Sequence, residues 1–201
     1  GAVGRVVTTV IPSPHEALIR QLGSSSTLAA VDLLDLGGEA GCAALVRDAA
    51  ALLGGIDQLV HSAGIWNEGP IERIRAAQLD EIFRVNVFSA FHLVREALPF
   101  LRAGGKGNVV LVGSTAGQRG EARHGHYAAT KGAIQSLAMS LAVELAPAVR
   151  VNLVSPGWVR TPMAEAELAT LGPPIAGALP NRRIAEVADC ANAGAFLAGE
   201  A

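Results

Sequence analysis

Several residue types are scarce in this chain of 201 residues, and each scarcity excludes a class of protein. Two cysteines, Cys42 and Cys190, are too few and too far apart for a disulfide framework or a zinc site, so we expect a reducing, cytoplasmic environment. No run approaches the roughly 20 apolar residues of a membrane span, and the first residues lack the layout of a signal peptide. The net charge is −2 and no basic stripe occurs, which argues against nucleic acid and acidic membrane surfaces as partners.

What remains is the composition of a folded protein, with 50% apolar and 17% charged residues. We expect a single domain over residues 1–201. Short β-branched runs alternate with helical periodicity, which predicts a parallel sheet wrapped by helices. The segment 161–180, rich in alanine, glycine and proline, is predicted to be a flexible flap. The strands are predicted at 5–10, 27–31, 56–60, 108–112 and 149–154, and the main helices at 13–23, 77–101, 127–145 and 184–197.

The single tyrosine of the chain, Tyr127, stands four residues before Lys131, one of only two lysines. On the predicted helix this spacing places both side chains on one face, so the ammonium lies beside the phenol. A phenol has a pKa near ~10, and a neighbouring positive charge favours its ionised form, as a proton-transferring tyrosine requires. Taken alone, the pair is equally compatible with a surface tyrosine beside a solvated lysine.

Ser114 favours the catalytic interpretation. It follows the predicted buried strand 108–112, and open parallel sheets bind their ligands outside the carboxyl ends of their strands. It also lies thirteen residues before Tyr127 (127 − 114 = 13), a spacing similar to that in the short-chain dehydrogenase/reductase family. Further motifs resemble those of the family in order, over nearly the whole chain: Asp32-Leu33, Asp-Gln-Leu-Val-His-Ser-Ala-Gly at 57–64, Asn86 within Arg-Val-Asn-Val, and Val-Asn-Leu-Val-Ser-Pro-Gly-Trp-Val-Arg-Thr at 151–161.

This resemblance, to the 3-oxoacyl-ACP reductase-like branch of the family, implies a Rossmann-type three-layer α/β/α fold with a mostly parallel sheet. It implies Tyr127 as general acid in ketone reduction and general base in alcohol oxidation, with Lys131 lowering its pKa and holding the nicotinamide ribose. Ser114 would hydrogen-bond the substrate oxygen, and Asn86 would hold a water that connects Lys131 to solvent. NAD or NADP would supply the hydride. The implied cofactor contacts are Asp32, Leu33, Ser62, Ala63, Gly64, Tyr127, Lys131, Pro156, Gly157, Val159 and Thr161.

The sequence departs from the family at both ends. The family opens with a strand and a Gly-rich phosphate-binding turn, TGxxxGxG, and no such segment precedes Arg5, so the first strand here resembles the family's second. The glycine-rich segment 113–120 is rejected as a substitute because no periodic helix opens directly after it. The family's final strand is not found after Ala198. Three explanations stay open, namely further residues outside this sequence, a differently closed sheet, or a strand supplied by another copy; we favour the first, or a truncated gene product.

Two further predictions concern the cofactor and the histidines. The segment Val10-Ile11-Pro12 lacks the acid that usually binds the 2′-hydroxyl of NAD, which slightly favours NADP. His61 replaces the first asparagine of the family's motif, and His124 and His126 flank the catalytic turn. A metal site at these histidines is disfavoured because no carboxylate or cysteine stands at ligand spacing. We expect His124 and His126 to face the substrate entrance or solvent.

The leading hypothesis is therefore an oxidoreductase acting on a small alcohol or ketone. A catalytically silent relative that serves as a structural partner is the rival, supported by the absent phosphate loop. An epimerase of the family's extended branch shares the Tyr-x-x-x-Lys pair, but 201 residues leave no room for its additional substrate domain. The resemblance also implies a homo-oligomer built on the helices that carry Asn86 and Lys131, as a dimer before a tetramer. The identity of the substrate cannot be read from the sequence.

Overall fold

The computed structural model describes residues 6–9 and 36–199 of the chain. The predicted helix at 13–23, the predicted strand at 27–31 and the adenine-contacting pair Asp32 and Leu33 lie outside the described residues.

Four parallel strands form the sheet, in the order β1-β2-β3-β4. They are β1 (Val6–Thr9), β2 (Gln58–His61), β3 (Gly107–Val112) and β4 (Val149–Val154). Each lies within two residues of a strand predicted from β-branched runs, and every pairing is parallel. The predicted class, a Rossmann-type α/β fold with a parallel sheet, is confirmed.

The pairing of β1 differs from the expected strand order. The family places its first strand between the second and the fourth, whereas here Val7 pairs directly with Leu59 and no strand of the described residues lies between β1 and β2. Because β1 pairs along this edge of β2, the backbone amide and carbonyl groups of that edge have hydrogen-bond partners.

The helices connect the strands and pack on them. One long helix is predicted at 77–101, and the structure has helical backbone from 76 to 103, interrupted by a π-helical turn at Arg84–Phe88 that contains Asn86. None of the helices in the described ranges is both long and apolar enough to cross a bilayer. The helices are α1 (Glu39–Leu53), α2 (Ala76–Phe83), α3 (Ser89–Ala103), α4 (Ala116–Arg119), α5 (Gly125–Glu144), α6 (Glu165–Ala178) and α7 (Val187–Ala198).

The alternation along β3 assigns the helices to the two faces of the sheet. Val109 and Leu111 are fully buried in one cluster with apolar residues of α1, α3 and α5. Asn108, whose side chain leaves the opposite face, donates a hydrogen bond to the Leu197 carbonyl at the end of α7. The carboxyl ends of the strands, where the predicted site residues follow, therefore lie between the two helical layers.

The segment 161–180, predicted as a flexible flap, has regular backbone: a short 3₁₀ turn at Pro162–Ala164 leads directly into α6. The alanines and leucines of this segment favour helix strongly enough to accommodate Pro173 and Pro174 within it. The flexibility of the segment stays a prediction. The last helix begins at Val187, three residues later than predicted.

Candidate active site

Lys131 is the most deeply buried charged group of the site. The fourth-residue spacing on α5 brings its ammonium to 5.8 Å from the ring centroid of Tyr127, and its Nζ donates a hydrogen bond of 2.9 Å to the Val112 carbonyl at the end of β3. The side chain is only 6% exposed, and this burial lowers the pKa of Lys131 from 10.5 to about 8. A buried ammonium with hydrogens to spare suits a polar ligand.

Tyr127 is partly buried, and this burial raises its pKa above the ordinary value of 10.0. A hydrogen bond with Ser114 acts in the opposite direction, while the charge of Glu121 raises the pKa further. The sequence predicted that Lys131 would lower the pKa of Tyr127, but burial is the largest influence and raises it. The structure thus places the Ser114 hydroxyl against the Tyr127 phenol. Ser114 in turn accepts a hydrogen bond of 3.1 Å from the Ala116 amide.

Asn86 is fully buried in the π-helical turn and uses both ends of its amide. Its Oδ1 accepts a hydrogen bond of 2.7 Å from the Ile65 amide, and its Nδ2 donates to the Ile65 carbonyl at 2.9 Å. Nδ2 also donates to Thr130 Oγ1 on α5 at 3.1 Å. One extra residue in a helical turn often marks a functional position. Here the turn fastens the loop after β2 to the helix that carries Tyr127 and Lys131.

Gly64 lies directly against two of these residues. A side-chain carbon at Gly64 would stand 3.3 Å from Asn86 Oδ1 and 3.5 Å from Lys131 Nζ, so glycine lets the backbone lie close to both groups. Ala63 is buried next to it and Ser62 is exposed.

The loop after β4 forms the other side of the cleft. The Pro156 carbonyl accepts a hydrogen bond of 2.9 Å from the Thr115 amide, which ties this loop to the one that carries Ser114. Gly157 is exposed, and Val159 forms an isolated parallel bridge with Ala185 before α7. An open groove of about 460 Å³ begins at Thr161 and continues along the first turns of α6.

Gly117 shows why the segment 113–120 is rich in glycine. A side-chain carbon there would lie 2.5 Å from the carbonyl carbon of Lys131 and 2.6 Å from the Gly132 amide nitrogen. Since neither backbone atom can yield easily, Gly117 is required for the close approach of α4 to α5. This role is consistent with rejecting the segment as a phosphate loop, and the four-residue helix α4 lies within the segment, not after it.

Sequence reasoning missed the aromatic side chains of the site. Trp66 stacks on His124 with ring centroids 4.5 Å apart, and Trp158 meets Trp66 edge to face at 6.2 Å. The only signal in the sequence was that Trp66 comes shortly after the motif at 57–64 and that Trp158 lies within the motif at 151–161. His124 and His126 are 9% and 4% exposed, so they do not face solvent, and the other expected position, the substrate entrance, stays a prediction.

His61 is buried at the carboxyl end of β2, with its Nε2 2.8 Å from Ser89 Oγ. Burial, helped by the charge of Lys131, lowers the pKa of His61 to about 3, so the ring is neutral near pH 7. In the described part of the chain, no three His, Cys, Asp or Glu side chains gather as a metal site requires.

The sequence of this chain is similar to those of several known proteins. The sequence model of a family described as "Enoyl-(Acyl carrier protein) reductase" matches residues 3–201. Glucose and ribitol dehydrogenase homolog 2 of Arabidopsis thaliana is 37% identical over 166 residues, which cover 82% of this chain and 57% of that protein. Acetoacetyl-CoA reductase of Allochromatium vinosum is 34% identical over 159 residues, covering 79% of this chain and 65% of that one. The chain thus spans less than two thirds of the length of these relatives.

A solved structure agrees with the sequence comparisons. The short-chain dehydrogenase/reductase of Brucella melitensis titled glucose/ribitol dehydrogenase superposes with a TM-score of 0.87 at 34% identity, covering 96% of this chain and 78% of that one. A Rossmann-type sheet with this Tyr-Lys-Ser-Asn arrangement therefore identifies the class: the chain belongs to the short-chain dehydrogenase/reductase family. Within the family it is of the 3-oxoacyl-ACP reductase-like kind.

Proposed function

We propose that this chain is an NAD(P)-dependent oxidoreductase that interconverts a small secondary alcohol and its ketone by hydride transfer, with Tyr127 as general acid and base. The observation that carries the proposal is the phenol of Tyr127, hydrogen-bonded to Ser114 and adjacent to the buried ammonium of Lys131. The printed names of the relatives, a glucose and ribitol dehydrogenase homolog and an acetoacetyl-CoA reductase, support the same class of reaction.

Each residue of the site has a distinct role in this proposal. Tyr127 gives its phenolic proton to the carbonyl oxygen in reduction and takes the hydroxyl proton in oxidation. Ser114 hydrogen-bonds that same oxygen, and Lys131 favours the phenolate by its charge and holds the nicotinamide ribose. Asn86 Oδ1, which has a second lone pair, holds a water that leads protons to Lys131. The bound nicotinamide supplies the hydride in reduction and accepts it in oxidation.

The proposed cofactor contacts come from three segments of the site. The closeness of the Gly64 backbone to Asn86 and to the Lys131 ammonium supports the ribose position. We favour NADP over NAD because the sequence at 10–12 has no acid for the 2′-hydroxyl. The full set is Ser62, Ala63, Gly64, Tyr127, Lys131, Pro156, Gly157, Val159 and Thr161, with Asp32 and Leu33 at the adenine.

The proposal is tested by titrating the protein with NADPH and with NADH while following nicotinamide fluorescence. We expect both to bind, NADPH more tightly. The Tyr127→Phe variant keeps cofactor binding but loses about 10²- to 10⁴-fold in kcat, because it removes only the proton transfer. A wild-type protein that binds neither cofactor would contradict the proposal and favour a silent structural partner.

We also propose that the chain forms a homo-oligomer, as a dimer before a tetramer, through α3 and α5. Apolar side chains on these helices and the preceding turn are unusually exposed: Phe88 at 45%, Phe91 at 52%, Met139 at 57% and Val143 at 83%. Exposed apolar side chains of this kind are typical of subunit contacts. Light scattering should give a dimer mass, which Val143→Arg reduces; a monomeric wild type would contradict this. We place the protein in the cytoplasm, where its two free thiols stay reduced.

A further inference from the structure

Tyr127 stands in the first turn of α5, where a helix is least firmly held. The amides of a first turn lack partners within the helix, and a side-chain cap usually satisfies one of them. α5 has no such cap, because the side chain of its N-cap residue, His124, makes no capping hydrogen bond. Contacts of His124 and His126 with Trp66 and Asn67 hold the chain that enters this turn. A phenol that transfers a proton in a fixed geometry also needs a contact on the far side of the turn.

Thr130 provides that contact. Its side chain is fully buried, and its Oγ1 donates a hydrogen bond of 2.7 Å to the Tyr127 carbonyl, three residues earlier. Because a carbonyl can only accept, the single hydrogen of the hydroxyl is committed to this bond. The oxygen can still accept, and it receives a hydrogen bond of 3.1 Å from Asn86 Nδ2. The Thr130 hydroxyl therefore joins the backbone of Tyr127 to Asn86.

Asn86 can serve as an anchor because its own amide group is fixed. The Ile65 amide donates to Oδ1, and the Ile65 carbonyl accepts from Nδ2. These two bonds determine which end of the side chain is the NH₂ group, and its second hydrogen goes to Thr130. A flipped Asn86 would place its oxygen against the Ile65 carbonyl and against a hydroxyl whose hydrogen is already used. The anchor is thus specific in orientation as well as in position.

A second contact holds α5 one residue further along. Gly117 lies so close to α5 that a side-chain carbon there would stand 2.6 Å from the Gly132 amide nitrogen. The segment that contains Gly117 also carries Ser114, whose hydroxyl bonds the Tyr127 phenol. If the first turn of α5 shifts while the contact at Gly117 stays, the phenol moves relative to Ser114. The bond between these two side chains then depends on what holds the first turn.

We propose that Thr130 is a positioning residue, whose hydroxyl, held by Asn86, keeps the Tyr127 phenol within hydrogen-bond reach of Ser114. The inference rests on the proposed function, in which the phenol and Ser114 bond the same substrate oxygen. Thr130 acts through the backbone of Tyr127 and does not touch the substrate. A threonine that only filled space in the core would be replaced equally well by valine. Here both bonds belong to Oγ1, so the hydroxyl itself is required.

The single tyrosine of the chain allows a test without substrate. The hydrogen bond with Ser114 lowers the pKa of Tyr127, so weakening it should raise the midpoint of tyrosinate absorbance. We expect this rise in Thr130→Val, which removes the hydroxyl and keeps the branched shape, whereas Thr130→Ser should match the wild type. Ser114→Ala should raise the midpoint as well. Adding Thr130→Val to Ser114→Ala should then have no further effect, because the bond that it weakens is already absent.

Ser89→Ala is the matched control for loss of a buried hydroxyl. Ser89 is also fully buried and donates to a carbonyl four residues earlier, that of Val85, at 2.5 Å. Its other partner is His61 on β2, so its loss should leave the Tyr127 midpoint unchanged. Circular dichroism identifies variants that stay folded, and Thr130→Ala removes the same hydroxyl if Thr130→Val does not fold. An unchanged midpoint without the hydroxyl, or an equal rise in Thr130→Ser, would overturn the inference.

Kinetics separate this inference from the proposed function. With NADPH and ethyl acetoacetate as the ketone, Thr130→Val should lose roughly 10- to 100-fold in kcat with little change in KM, because a misplaced reacting group slows the chemical step. Thr130→Ser should recover the rate. If Thr130→Val is as fast as the wild type, the inference falls and the oxidoreductase function stands. If the wild type binds neither nicotinamide cofactor, the proposed function fails, and the titration still decides whether Thr130 positions the phenol.

Discussion

Lys131 couples the proposed chemistry to the stability of the protein, because its ammonium is buried without an ion pair to any described carboxylate. Its pKa is about 8 in the folded chain against 10.5 as the ordinary value. Between these values the unfolded chain binds more protons than the folded one, so the free energy of unfolding should increase as the pH rises from 8 to 10.5. Below pH 8 both states are protonated and the cost of burial is fully present.

We expect this gain to reach about 3 kcal/mol, at roughly 1.4 kcal/mol for each unit of pKa. Urea unfolding of the cofactor-free protein at several pH values between 7 and 10.5 measures it. Lys131→Met should remove the dependence, whereas Lys106→Met, at the exposed second lysine of the chain, should keep it. The same slope in the wild type and in Lys131→Met would show that another group is responsible.

Tyr127 can be titrated without any assay, since it is the single tyrosine of the chain. Tyrosinate absorbance at ultraviolet wavelengths therefore reports this residue alone. Its pKa is raised first by burial, lowered by the hydrogen bond with Ser114 and raised by Glu121. We expect a midpoint above the ordinary value of 10.0, moved down in Glu121→Gln and up in Ser114→Ala. Shifts in the same direction for both variants would contradict this account of the site.

At the scale of elements, the contact between α4 and α5 positions the catalytic pair. Gly117→Ala would place a side-chain carbon within 2.6 Å of the backbone of Lys131 and Gly132, so the two helices must separate. We expect a loss of roughly 1–3 kcal/mol in the free energy of unfolding, as for overpacked cores, together with reduced kcat. Gly194→Ala on α7 meets nothing within 4 Å and should stabilise the protein by up to about 1 kcal/mol. If both variants behave alike, the close approach at Gly117 is not needed.

The elements themselves were largely predictable, because they depend on local patterns. β-branched runs predicted β3 and β4 to within one residue at each end, and the apolar period predicted α5 to within two. The helix within 161–180 was not predicted, since glycine and proline were given more weight than its alanines and leucines. The π-helical turn at Asn86 has no local signature. It depends on tertiary bonds, such as those from Asn86 to Ile65 and Thr130.

The site, like the elements, was predictable where it depends on local patterns in the sequence. Spacing on one helix was sufficient to pair Tyr127 with Lys131, and the end of β3 was sufficient to bring Ser114 to them. The stacking of Trp66 on His124 depends on two loops, 58 residues apart (124 − 66 = 58), meeting in space. No periodicity in the sequence reports such a contact.

At the scale of the whole molecule, one row of side chains joins the sheet to the last helix. Gln58, Asn108 and Arg150 stand opposite one another on β2, β3 and β4. All three donate to carbonyls at the end of α7: Gln58 to Ala198, Asn108 to Leu197, and Arg150 to both Leu197 and Gly199. Carbonyls at the end of a helix lack partners within the helix, so this row caps α7 while fixing it to the sheet.

The shared acceptor makes the effect of two substitutions non-additive. Asn108→Ala leaves the Leu197 carbonyl bonded to Arg150, and Arg150→Ala leaves it bonded to Asn108. Each substitution alone should lower the free energy of unfolding by about 1 kcal/mol or less. The double variant leaves the Leu197 carbonyl without either side-chain donor, so its loss should exceed the sum of the two single losses by roughly 0.5 kcal/mol or more. Hydrogen exchange should then speed up in α7 and stay slow in the amides of β3, because the sheet retains its own pairing. Strictly additive losses of stability, or equally faster hydrogen exchange in β3 and α7, would contradict this. The helix would then be held by its apolar contacts and would not need these polar side chains.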